Sequence, residues 1–143
     1  CCGAGDEIYR LNLEVGQFKE PFHMKTEGCN KMHIIPVHQL LACGGEQGIC
    51  EFWDPRSRSR VSSINIFDQQ ATSNDITALK FDNDGLTMML GTASGYVHMF
   101  DIRSRQPIYT KEHQYGLPIV DISYHHSSKT ILTTDKNCLL YTS

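Results

Sequence analysis

Short runs of alternating apolar and polar residues, each closed by a glycine, proline or asparagine/aspartate turn, fill this chain from end to end. Residues 5–13 alternate and predict a strand, followed by a turn at Glu14-Val15-Gly16-Gln17. Phe18 opens an outer strand that Glu20-Pro21-Phe22 is expected to end, because proline cannot donate to a ladder. After a polar connection from His23 to Cys29, strands are predicted over 30–36 and 38–43, a turn over 44–48, and strands over 49–53 and 60–66. A polar loop from Asp68 to Asp75 leads to strands at 76–81, 86–90, 96–100 and 107–110. Asp82-Asn83-Asp84-Gly85 is the clear tight turn of that set. Residues 119–124 and 130–134, joined through His125 to Lys129, begin a further unit. No apolar stripe has helical spacing, so the fold class is all-β.

The strand at Ile49–Trp53 places Cys50 and Phe52 on one face and Ile49 and Trp53 on the other. Val97 and Met99 likewise oppose Tyr96 and Phe100. A sandwich sheet shows one polar face, whereas a propeller blade is covered on both sides by its neighbours. The stretch from Gly44 to Arg58 also recurs as Gly91 to Arg105. Gly48 matches Gly95, Trp53 matches Phe100, Asp54 matches Asp101 and Arg56 matches Arg103, each pair 47 residues apart, as 95 is from 48. A period in the forties marks a four-stranded blade. Aligned on it, Ile8 falls on Ile49, Leu11 on Phe52 and Asn12 on Trp53, so the opening strand reads as the remnant of an earlier blade. Gly48, Trp53, Asp54, Gly95, Phe100 and Asp101 are therefore read as the structural repeat.

A net charge of −3 over 143 residues disfavours a general nucleic-acid binder. No apolar run reaches the roughly 18 residues that cross a bilayer as a helix, and no membrane partner is expected. Cysteines at 1, 2, 29, 43, 50 and 138 form no Cys-x-x-Cys pair, and reduced thiols in an intracellular protein are expected. Gly44-Gly45-x-x-Gly48 lacks the Lys-Ser/Thr of a phosphate cradle and reads as a hairpin turn. His33 with His38, and His125 with His126, lack partners at ligand spacing, so no metal is expected. With no nucleophile elbow either, no catalytic residue, cofactor or small-molecule substrate is assigned, and the protein reads as a non-enzyme. Arg56, Arg58 and Arg60, echoed by Arg103 and Arg105, have two readings. They are either solvated turn residues or candidate contacts to RNA phosphate or an acidic partner. On both readings Arg58 and Arg60 belong to the surface.

With Trp53-Asp54 and Phe100-Asp101 in place, the chain resembles a WD40-repeat propeller. Residues 7–18, Ile35-x-x-His38-x-Leu40, 51–56 and 131–136 further resemble the nucleolar protein 10 family. The resemblance implies an N-terminal propeller in a nuclear, nucleolar scaffold without catalysis, followed by a long charged C-terminal region. It implies partners among ribosome-assembly proteins of the early small-subunit particle, a role in ribosomal RNA maturation, and at most peripheral RNA contact. A second reading takes Trp53-Asp54-Pro55-Arg56 and Phe100-Asp101-Ile102-Arg103 as similar to the WD-x-R boxes of substrate receptors for cullin-type ubiquitin ligases.

The expected organisation is a partial propeller of about three consecutive blades over 5–136, some incomplete: a remnant at 5–22, blades at 29–67 and 75–112, and a partial blade at 118–136. Blades of about 40–45 residues cannot close a ring in this length, so exposed blade faces should make the isolated chain prone to aggregation. The start at Cys1-Cys2-Gly3 without Met reads as a fragment. Residues 137–143 break the alternation, put Thr142 where an aromatic is expected, and read as a truncated or non-native tail.

Overall fold

The computed structural model describes residues 5–66 and 71–137, together with the backbone of 140–142. Cys1, Cys2, Cys138, Ser143 and the first three residues of the loop expected from Asp68 lie outside the described residues. β1 (Glu7–Asn12) and β2 (Gln17–His23) form a two-stranded antiparallel sheet. β3 (Cys29–Ile34), β4 (Leu41–Gly45), β5 (Ile49–Asp54) and β6 (Ser59–Asn65) follow as a four-stranded meander. A second meander comprises β7 (Ile76–Phe81), β8 (Thr87–Thr92), β9 (Tyr96–Asp101) and β10 (Tyr109–Glu112). β11 (Ile119–His125), β12 (Thr130–Asp135) and β13 (Leu140–Thr142) complete the order. The described residues contain no α-helix, only one short 3₁₀ turn at Glu46–Gly48.

The sheets stack face to face with a core in each gap. Ile8 and Phe22 of the first sheet meet Cys43 and Trp53 of the second. Phe52, Cys50 and Ile64 then meet Ile76, Leu90 and Phe100 of the third. Ala78 and Met89 meet Ile119 and Ile122 of the fourth. Alternation along β5 and β9 thus feeds two different cores, which is why both faces are apolar. The first strands of consecutive sheets lie side by side, with β7 between β3 and β11, as inner strands do around a propeller axis. The fold is a partial β-propeller.

Local departures from the sequence pattern have physical causes. Pro21 does not end β2, because it sits at a bulge between the Ile8–Phe22 and Arg10–Lys19 pairs of an edge strand, where no ladder donor is needed. Arg10 Nε and its terminal nitrogen donate to the Glu20 carbonyl beside it, at 3.1 and 2.7 Å. Asn12 is equivalent to Asp54, not Trp53. Both open the same turn, with Gly16 N–H donating to the Asn12 carbonyl and Arg58 N–H to that of Asp54. The same offset of 42 holds along the whole strand, so Ile8 is equivalent to Cys50 and Leu11 to Trp53.

Gly44 and Gly45, expected in the turn, belong to β4. A Cβ on Gly44 would stand 2.5 Å from Ile76 Cγ2, and one on Gly91 would stand 2.6 Å from Ile119 Cγ2. The glycines admit the first inner-strand isoleucine of the next blade, and the device repeats. Gly91→Ala is expected to cost about 1–3 kcal/mol, because backbone or β11 must move to relieve the overlap. Chemical denaturation of the full-length protein checks this, and an unchanged midpoint would contradict the close packing.

Candidate interaction surface

Four of the five candidate arginines lie on the turns between the third and fourth strands of consecutive blades, and Arg60 lies in β6 just after the first of them. In the β5–β6 turn, Arg56 N–H donates to Asp54 Oδ1 at 2.8 Å and Arg58 N–H to the Asp54 carbonyl at 3.0 Å. The backbone donation from Arg56 leads the effects that hold the Asp54 carboxyl below the usual range. The β9–β10 turn repeats the design. Arg103 N–H donates to Asp101 Oδ1 at 2.9 Å, and its guanidinium grips the same carboxylate at 2.9 and 2.5 Å. That grip lowers the Asp101 carboxyl to about 2. In the β1–β2 turn Glu14 N–H donates to Asn12 Oδ1 at 3.0 Å. The aspartate that follows the repeat aromatic is therefore a turn former, its oxygen replacing a backbone acceptor.

The arginines separate into distinct environments. Arg56 and Arg58 are exposed, each 3.8 Å from an exposed or half-buried carboxylate, Asp54 and Glu20 respectively. Arg105 is exposed with no partner among the described residues, whereas Arg103 is committed to Asp101. Arg60 is exposed as a residue, yet it reaches a buried partner. It turns inward beside Trp53 in the β5–β6 register, and its guanidinium lies 3.8 Å from Glu51, which is completely buried. Glu51 Oε1 also accepts from Lys25 N–H at 3.0 Å, while Oε2 has no partner among the described residues. The buried carboxylate was missed in the sequence, although a Glu inside a strand covered on both faces is itself the signal. Its repeat counterpart is His98, also buried and 3.0 Å from Thr110 of the fourth strand.

Of the repeat residues, Trp53 is 7% exposed and Phe100 fully buried. Gly48 and Gly95 adopt φ of +73° and +86° in the turns before β5 and β9, a region that favours glycine. His33 stacks on Phe81, and His125 Nδ1 shares a hydrogen with Ser128 Oγ at 2.7 Å. Burial lowers the His33 and His113 imidazoles, and His113 pairs with Thr133 Oγ1 at 2.8 Å. Cys29, Cys43 and Cys50 are buried and outside any disulfide. A hydrogen bond between the thiols of Cys43 and Cys29 leads the effects that raise Cys43, and burial raises Cys50, so neither is a ready thiolate.

A cleft of about 260 Å³ opens between the second and third sheets. Ile35, Leu40, Phe52 and Ile64 lie in it, with Val61 of β6 on one side and Arg103 and Arg105 of the next blade's turn on the other.

Stacked four-stranded meanders with equivalent aspartate turns define a β-propeller of the repeated Trp-Asp class. Residues 1–142 match the family described as Nucleolar protein 10-like, N-terminal domain, and the chain belongs to that family. It is 44% identical to Ribosome biogenesis protein ENP2 of Saccharomyces cerevisiae over 139 residues, covering 93% of this chain and 19% of that protein. It is 41% identical to Nucleolar protein 10 of Homo sapiens over 140 residues, covering 93% and 20%. With Nucleolar protein 10 of Danio rerio the identity is 38% over 144 residues, covering 96% and 20%. The chain thus spans about a fifth of the length of these curated relatives.

Proposed function

We propose that this propeller segment is a non-catalytic docking scaffold in a nucleolar protein of ribosome biogenesis, acting on the small-subunit precursor and supporting ribosomal RNA maturation. The observation that carries the proposal is the family match over nearly the whole chain, with relatives whose names are Ribosome biogenesis protein and Nucleolar protein. The physical support is separate. Stacked blades give a stiff surface, and its net charge of −3 suits mainly protein contacts. RNA is touched only at the periphery, through exposed Arg56 and Arg58. Arg103 is a weaker candidate, because Asp101 already holds it. The same commitment counts against the ubiquitin-ligase reading, which needs that arginine for an adaptor.

Gradient sedimentation of the tagged, full-length protein tests the proposal. The protein is expected to run with early small-subunit precursors, and its depletion to lower mature small-subunit RNA while sparing large-subunit RNA. Charge reversal of Arg56 and Arg58 together is expected to weaken particle association without lowering the melting temperature. Sedimentation with free protein, or with a ligase adaptor, refutes the assembly role.

A further inference from the structure

The gap between the second and third sheets holds an open groove of about 260 Å³. Pairing registers make Ser62 equivalent to Tyr109 and Ile64 equivalent to Lys111, since Phe52 pairs with Ser62 as Met99 pairs with Tyr109. Tyr109, 52% exposed, and Lys111 line a small void of about 30 Å³ against Ile131 and Thr133 of the fourth sheet. Ser62 and Ile64 stand at the corresponding positions in the wall of the groove between the second and third sheets.

The open groove is shaped for a particular visitor. Its floor is apolar, with Phe52 and Ile64 nearly fully buried and Ile102 packed at the side. β6 carries a bulge opposite Phe52 and Trp53, and the extra residue is Val61, which is 56% exposed and lines the opening. A bulge on an edge strand re-aims a side chain, and here it turns Val61 toward the opening. The groove residues include no carboxylate, while Arg105 stands at the rim with its charge unspent. Arg103 beside it is neutralised by Asp101. The volume falls short of the roughly 300 Å³ at which drug-sized ligand pockets begin, so it takes one or two side chains.

We propose that this groove docks a short acidic–apolar segment of a partner protein: one large aliphatic or aromatic side chain enters between the blades, and an adjacent carboxylate meets Arg105. The proposal deepens the scaffold reading by naming one docking point, and it rests on that reading only for the partner being a protein. RNA fits the rim charge but not the floor, since an apolar cleft of this size between blades offers a phosphate backbone nothing.

Selection of a random-peptide phage library on the immobilised full-length protein tests it. Enriched peptides are expected to carry a bulky apolar residue beside Asp or Glu. Ser62→Tyr copies the neighbouring repeat into the groove and is expected to weaken their capture about tenfold or more. Arg105→Glu, on an exposed turn where folding is not at stake, is expected to weaken it by a similar factor, reversed in part by peptides with Lys in place of the acid. Enrichment of basic peptides, or a consensus whose capture survives both variants, overturns the proposal. So does failure to enrich any consensus, including the case where a single-stranded RNA oligonucleotide is retained through Arg105 instead. Peptide capture that persists in a protein sedimenting away from small-subunit precursors would sink the assembly reading and leave this docking site standing.

Discussion

Trp53→Ala is expected to lower the stability of the full-length protein by about 3–5 kcal/mol. Trp53 is 7% exposed and lies between the first and second sheets. Its ring stacks on Phe22 at 5.2 Å between centroids and 10° between planes, and the Arg10 guanidinium covers Phe22 at 4.0 Å. Truncation therefore removes a large apolar contact and uncovers one side of a three-layer stack, leaving a cavity that two rigid sheets cannot easily close. The indole Nε1 has no hydrogen-bond partner among the described residues, so the ring contributes through packing, not polarity. Trp53→Phe keeps the stack and is expected to lose much less. Denaturant unfolding of the three proteins checks the ordering, and a Trp53→Ala loss below about 1 kcal/mol would place the ring outside the core.

The strands and their stacking were legible because their causes are local or periodic. Alternation in β5 and β9 named the faces, and the recurring Gly48 and Gly95 marked turns whose positive φ requires that residue. What stayed hidden depends on neighbours that no period reports. Pro21 continues β2 because a bulge takes it out of the ladder, and Asn12 aligns with Asp54 through the turn it opens and not through its side-chain type. Gly44 is a glycine within β4 because Ile76, distant in sequence, occupies the place a Cβ would take. The groove beside Ser62 exists only once the next blade's turn is laid against β6, so the same serine reads as ordinary edge-strand polarity. The five arginines look alike in sequence, yet they occupy distinct settings: open solvent, an ion pair within one turn, a groove rim, and the edge of a core.

That last distinction gives the second large effect. Arg60→Ala is expected to destabilise the full-length protein by about 1–3 kcal/mol, whereas Arg58→Ala changes stability by no more than about 0.5 kcal/mol. Glu51 is completely buried and receives one backbone donor at 3.0 Å, from Lys25. Arg60, 3.8 Å away and about a third exposed, is its cation. Removing a partner from a fully enclosed ion pair costs roughly 3–5 kcal/mol, and the long separation and the wet guanidinium argue for less here. Arg58 faces Glu20 at the same 3.8 Å with both side chains in solvent, where such pairs contribute about 0–1 kcal/mol. Equal distances with unequal burial make the two arginines a controlled comparison. Glu51→Gln supplies the closing test, because it keeps an acceptor for Lys25 N–H and removes the charge that Arg60 answers. In that background Arg60→Ala should lose little, and the difference between the two Arg60→Ala losses is the coupling between the side chains. If Arg60→Ala costs as much in the Glu51→Gln background as it does beside the native carboxylate, Arg60 acts through its aliphatic stem beside Trp53 and not through its charge.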